Sequence, residues 1–391
     1  MQKGFAILKI HSHPGGYPRF SSVDDAADAA LFPSVHGWVD GAEPHASAVL
    51  LSDGRIFGRA HHADGMVTPL DAVTVIGDDL RIFRAGEAAP AAIDLSGLPG
   101  FALRHAQAFG CGTFEALRAL TIVVVGCSGT GSAVIDILAR LGVGRLILID
   151  PDRVEEKNLN RVVNAFPTDL DRPKVDVQRD FVDRLGFGTR VEAFATDLAN
   201  PKALEAAAGA DVIFGCMDGI DGRHLLNRLA TFYLIPYVDV GVRLDADGAG
   251  GVDQICGSVH YLQPARSSLM TRRVYTAEQL RAAAMKRHDR AEYDRQVAEK
   301  YIKGVAEDRP AVNAVNMFFS AMAVLDFLAR LHPYRIDGNG SFATQTVSLT
   351  GGFGRQLEEG PIDEALARHV GRGDMTPPLG IPFLDCRAGD E

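Results

Sequence analysis

The sequence contains no Cys-x-x-Cys pair, and its five cysteines, Cys111, Cys127, Cys216, Cys256 and Cys386, are scattered through 391 residues. That odd, dispersed set excludes a disulfide framework and reads as reduced thiols in a cytoplasmic protein. Positive charge is also short: 40 Lys and Arg stand against 50 Asp and Glu, a net charge of −10. A nucleic-acid partner would want a basic face to neutralise phosphates, so none is expected. No basic segment followed by an apolar one opens the chain, and the apolar stretch 311–328 is interrupted by Asn313, Asn316 and Asp326. No membrane span is expected either, and the cytoplasm is the default location. Internal repeats and low-complexity tracts are missing. With 47% apolar residues, the length fits two or three globular domains.

What is present begins with a buried-strand pattern, Ile122, Val123, Val124 and Val125, running into a glycine-rich turn. Gly126 and Gly131 stand at the first and last glycine positions of a nucleotide fingerprint, with Ser128 at the middle one and Gly129 beside it. The pattern predicts a βαβ unit whose helix starts near Gly131 and offers unpaired N–H groups to an anion. A turn of this kind can also serve only close packing. The residues after it tip the balance. Asp150 ends the second strand, Leu146, Ile147, Leu148 and Ile149, where an acid can hold ribose hydroxyls. Asn158, Arg161 and Lys174 follow, then Asp218 closes another apolar strand. Hydride transfer needs no such polar, basic group. Cleavage of the α–β bond of ATP does, because charge develops on the pyrophosphate leaving group.

In this order and spacing the residues resemble the ThiF/MoeB family, relatives of ubiquitin-activating enzymes, over roughly residues 104–328. The likeness rests on Arg104 ahead of the first strand, the glycine turn, Asp150, the Asn-Leu-x-Arg motif of Asn158 and Arg161, Lys174, and Asp218 followed by Arg223 and Asn227. The segment from Pro310 to Asn316 is similar to the lead into the family's closing helix. The resemblance implies that Gly126, Ser128, Gly129 and Gly131 cradle the nucleotide and Asp150 holds its ribose. Arg161 and Lys174 would grip the triphosphate with Asn158 assisting, and Asp218 would hold magnesium. It further implies that Arg104 reaches the phosphates of a neighbouring subunit in a homodimer.

A second constellation lies at the start: His11, Ser12, His13 and Pro14, then Ser21 and Asp24. Two histidines one residue apart on a strand share a face, and an acid opening the next helix can complete a three-ligand zinc site with a position left for water. The spacing resembles the JAMM/MPN metalloprotease motif. By that resemblance His11, His13 and Asp24 are zinc ligands and Ser21 steadies an oxyanion. The family also uses a glutamate on an earlier strand as general base, and the ten residues before His11 contain neither Glu nor Asp. The expectation is therefore a truncated domain with weak or absent peptidase activity.

Two further departures bear on mechanism. Where many ThiF/MoeB relatives begin a structural zinc site with Cys-x-x-Cys, the chain reads Ala265, Arg266, Ser267, Ser268, Leu269 and Met270. Residues 271–309, the crossing segment in which a thioester-forming relative would carry a thiol, contain no cysteine and read as a charged, helix-favouring, mobile arm.

The expected organisation is a small α+β JAMM-like domain at 1–90, a linker at 91–100, a Rossmann-like, doubly wound and mostly parallel α/β adenylation domain at 101–335, and a tail at 336–391. The expected activity is ATP-dependent adenylation of the C-terminal carboxylate of a ubiquitin-like protein, with release of pyrophosphate. A conjugating-enzyme homologue is a further expected partner. Two alternatives stay open: adenylation of a peptide or sulfur-carrier protein in small-molecule biosynthesis, and a non-catalytic scaffold that binds a ubiquitin-like protein.

Overall fold

The computed structural model describes residues 5–39, 41, 43–85, 97–299, 310–373 and 375–384. Strand β1 (Leu8–His13) alternates exposed Leu8, Ile10 and Ser12 with half-buried Lys9, His11 and His13, the period of a strand with one covered face. The cover is helix α1 (Ser22–Trp38), opened by a capping box in which Ser21 and Asp24 bond each other's backbone N–H. Strand β2 (His45–Leu51) runs parallel to β1, and β3 (Ile56–His61) and β4 (Val67–Pro69) continue the sheet antiparallel. The hairpin of β5 (Ala72–Ile76) and β6 (Leu80–Arg84) leaves that sheet. Its turn is bonded to the larger domain, where Tyr261 donates to the Gly77 carbonyl at 3.0 Å and Arg330 to that of Asp78 at 2.8 Å. The small sheet ends at Pro69, and Leu80 of the hairpin, which also packs against β3, enters the core of the following domain.

That domain is built on an eight-stranded sheet. After α2 (Leu103–Ala119) come β7 (Thr121–Val125), α3 (Gly129–Arg140), β8 (Arg145–Ile149), α4 (Lys174–Leu185), β9 (Arg190–Phe194), α5 (Pro201–Ala208), β10 (Val212–Gly215) and α6 (Ile220–Phe232). Then follow β11 (Tyr237–Ala246), β12 (Val252–Leu262), α7 (Ala277–His288), α8 (Arg290–Ala298), α9 (Asn313–Leu331), β13 (Thr344–Ser348) and β14 (Phe353–Leu357). The spatial order is β14-β13-β12-β11-β10-β7-β8-β9. The five strands from β11 to β9 are parallel, and β12, β13 and β14 extend them antiparallel.

Both faces of the parallel part are covered, which is why its strands read as unbroken apolar runs. Ile122, Val124, Leu146, Leu148 and Phe214 pack with α3, α4 and α9 on one side. Val123, Val125, Ile147, Ile149 and Ile213 pack with α5 and α6 on the other. Helix α9 is long and apolar enough to cross a bilayer by length and composition, its interrupting polar residues notwithstanding. Here it is a core helix, with Phe319, Ala323, Val324 and Phe327 buried on the sheet.

Two segments differ from expectation. The helix-favouring segment expected as a mobile arm forms α7 and α8, with residues 300–309 outside the described residues, and it is anchored: Arg287 of α7 bridges Asp197 and Asp221, at 3.0 and 2.6 Å. Tyr275 and Tyr293 are buried, which anchors a segment whose charge suggested solvation. The expected tail from residue 336 gives β13 and β14 to the main sheet; Cys386 lies outside the described residues.

Candidate functional site

Strand β7 is flanked by β8 on one side and β10 on the other, so its carboxyl end is the point where the strand order reverses and a crevice opens. Gly126 adopts φ 89° there, a left-handed conformation that an L side chain resists. A Cβ on it would also stand 2.5 Å from the Cys216 carbonyl oxygen, at the end of β10. Glycine thus lets the two strand ends meet. Gly131 is packed against the Gly126 carbonyl with no room for a Cβ. Ser128 occupies the N-cap position of α3 without a side-chain cap bond, leaving the first N–H groups of the helix free to face an anion.

Asp150 organises this turn. Its Oδ2 accepts the Cys127 N–H at 2.6 Å and its Oδ1 the Asp152 N–H at 2.8 Å. Burial raises its pKa above the usual carboxylate value, against the lowering by Lys174 and the two backbone donors. Lys174, 4% exposed at the start of α4, points its Nζ at Asp152 Oδ2, 2.8 Å away. Asn158 is buried and its Oδ1 accepts the Glu155 N–H, while its carbonyl accepts the Arg161 and Val162 N–H groups. It shapes the bend that presents Arg161. The Arg161 stem passes 3.5 Å from where a Cβ of Gly129 would lie, and its guanidinium donates to the Lys157 carbonyl at 2.6 Å. Asp218 is exposed after β10 and makes no hydrogen bond or ion pair among the described residues, so its carboxylate is open to a cation or ligand.

Other expected residues have structural partners. Arg223 forms a buried pair with Asp239, and Asn227 accepts the Leu269 N–H at 2.9 Å. Arg104 is exposed on α2 and donates to Gln107 on the same helix at 3.0 Å. Within one chain it bonds neither the turn nor Asp150, Arg161, Lys174 or Asp218.

In the small sheet, β1 and α1 bring His11, His13 and Asp24 together. His11 Nε2 lies 3.1 Å from His13 Nε2 and 2.9 Å from Asp24 Oδ1, and His13 Nε2 lies 3.2 Å from Asp24 Oδ2. Ligand atoms around a tetrahedral zinc are about 3.3 Å apart, given Zn–N near 2.0–2.1 Å. The donor set therefore fits a metal ion. His13 Nδ1 faces the Tyr17 carbonyl at 2.9 Å, which leaves Nε2 as the lone-pair nitrogen. The neighbouring acids are engaged: Asp25 by Arg59, and Asp28 by Lys9, Ser47 and Arg59. Ser21 Oγ accepts the Asp24 N–H at 3.3 Å as a helix cap.

The ThiF family profile matches residues 102–350, covering the glycine turn, Asp150, Arg161, Lys174 and Asp218. The chain belongs to the ThiF family. Over 117 residues it is 37% identical to the SAMP-activating enzyme E1 of Haloferax volcanii, covering 30% of this chain and 43% of that protein. Over 124 residues it is 35% identical to the sulfur carrier protein adenylyltransferase of Thermus thermophilus, covering 32% of this chain and 46% of that one. The chain thus spans less than half the length of these curated relatives. The Microcin C7 biosynthetic enzyme MccB in complex with N-formylated MccA shares the fold, with a TM-score of 0.54 at 18% identity over 68% of this chain and 75% of that one. The E. coli MccB structure with ATP gives 0.52 at 17% identity, over 70% and 75%.

This ThiF domain also holds residues that motif reading passed over. Asp152, the partner of Lys174, is signalled only by its place two residues after Asp150. Asn316 on α9 lies against the glycine turn although 185 residues separate it from Gly131.

Proposed function

We propose that the chain is an ATP-dependent adenylyltransferase acting on the C-terminal carboxylate of a ubiquitin-like or sulfur-carrier protein. The reading is supported by the uncapped start of α3 at the crevice, the Arg161 stem against Gly129, buried Lys174 paired with Asp152 and the exposed Asp218 after β10. A carboxylate oxygen attacks the α-phosphorus in line. The new O–P bond forms as the bond to the bridging α–β oxygen breaks, and pyrophosphate leaves with that electron pair. Arg161, the α3 N–H groups and Lys174, released from Asp152, stabilise the charge gathering on the phosphate oxygens. Asp218 would hold magnesium, whose charge when bound screens the triphosphate. Arg104, which meets no phosphate-site residue in its own chain, acts across a homodimer.

In the same reading the small sheet is a zinc-binding module held by His11, His13 and Asp24. Its peptidase activity is weak or absent, because Asp25 and Asp28 are both committed to basic partners and supply no general base. A second reading, adenylation without conjugation, is favoured by the lack of cysteine in residues 271–309. A conjugating-enzyme homologue is a partner only in the first.

ATP–pyrophosphate exchange triggered by ubiquitin-like proteins ending in glycine tests the proposal. Exchange that depends on such a protein and falls at least about a hundredfold in Asp218→Ala is expected. Exchange unaffected by that substitution would remove Asp218 from the reaction, and no ATP binding at all would overturn the proposal in favour of the scaffold.

A further inference from the structure

We infer that Asn316 is a nucleotide-binding residue, donating its side-chain amide to a phosphate oxygen held at the start of α3. The inference rests on the ATP reading above and adds a donor from the opposite end of the domain. Helices α3 and α9 are packed along each other, and one turn beyond Asn316 the Ser320 hydroxyl donates to the Thr130 carbonyl at 2.8 Å. Residues four apart share a helix face, so this bond fixes the height at which Asn316 meets the first turn of α3.

At that height the neighbour is Gly129. A Cβ there would stand 3.0 Å from Asn316 Cγ and closer still to Nδ2. The missing side chain at 129 is what admits the amide to the turn. Asn316 is 6% exposed, yet its amide makes no hydrogen bond among the described residues. A largely buried side-chain amide with no protein partner has a hydrogen bond to gain from a ligand. Its surroundings define the ligand. The α3 N–H groups are uncapped, the Arg161 stem passes the same glycine, and all of these are donors. Donors gathered at an uncapped helix start take an anion, and in this crevice the anion is a phosphate of the nucleotide.

A purely structural Asn316 would serve packing alone. Titration of the full chain with ATP and with adenosine, alongside thermal melting, separates the two roles in Asn316→Ala and Asn316→Asp. Loss of one bond to a charged oxygen predicts a Kd for ATP raised about ten- to a hundredfold in Asn316→Ala, with adenosine binding unchanged. The near-isosteric Asn316→Asp, which preserves packing but sets an anion beside phosphate, should weaken ATP at least as much. Wild-type affinity for ATP in both variants overturns the inference, as does equal weakening of ATP and adenosine together with a lowered Tm. A wild-type chain that binds no ATP overturns the adenylation reading itself, and the inference with it.

Discussion

At the scale of single residues, the His11, His13 and Asp24 cluster poses a sharp electrostatic question. Two imidazole Nε2 atoms 3.1 Å apart cannot both present lone pairs to each other without a proton or a cation between them. The Asp24 carboxylate, within 3.2 Å of both, favours the cation. Its pKa lies below the usual value; burial opposes this lowering, and the Ser21 backbone and side-chain donors with the two histidines outweigh it. An ionised carboxylate and two neutral imidazoles are the state a divalent metal binds. Metal analysis of the purified chain should therefore find about one zinc per molecule, falling to near zero in His13→Ala. Pyrophosphate exchange should survive that substitution, since the phosphate site lies in the other sheet. A zinc content equal in the two proteins would remove the metal from this cluster.

At the scale of elements, the turn after β12 shows how the domain holds together at the place where the resemblance puts a structural zinc site that this chain lacks. Ser267 and Arg272 both bond Glu359, with Arg272 Nη2 3.0 Å from its Oε1, and the Ser268 hydroxyl donates to Asp363 at 2.6 Å. These contacts tie the turn to the segment after β14. The Arg272 side chain is 5% exposed and that of Glu359 21%, so truncating one partner leaves a largely buried charge. Glu359→Ala should cost about 2–4 kcal/mol, read as a lowered denaturation midpoint, with Glu359→Gln milder because it keeps an acceptor. Equal stability of Glu359→Ala and wild type would assign the anchoring to Asp363 alone.

The same elements mark what the sequence makes legible. Thr121–Val125, α3 and Arg145–Ile149 could be read from the chain because burial on both faces forces unbroken apolar runs and the turn demands glycine at fixed spacing. Arg161 and Lys174 were singled out by the family resemblance and the charge that triphosphate chemistry demands, not by apolar patterning. Strand β14 has every residue exposed, so no hydrophobic alternation announces it, and β13 pairs with β12 across more than eighty residues. The β5–β6 hairpin is placed by contacts to Tyr261 and Arg330, which no local pattern encodes. Asn316 is hidden likewise: its meaning lies in what it meets on α3.

At the scale of the whole molecule, Arg104 decides whether one chain is a complete catalyst. Among the described residues it bonds only Gln107 on its own helix, while the Arg161 stem lies against Gly129 and Lys174 pairs with Asp152. If its guanidinium serves a neighbouring subunit, Arg104→Ala and Asp218→Ala damage different halves of a shared site. Each variant alone should lose exchange activity. In a dimer carrying one of each, the subunit that keeps Asp218 receives the intact arginine of its companion, and one of the two sites is restored. Random assembly of equal amounts makes half the dimers mixed, so about a quarter of wild-type exchange should return on co-expression. A mixture no more active than the separate variants would place Arg104 outside the reaction, and the site would then be complete within a single chain.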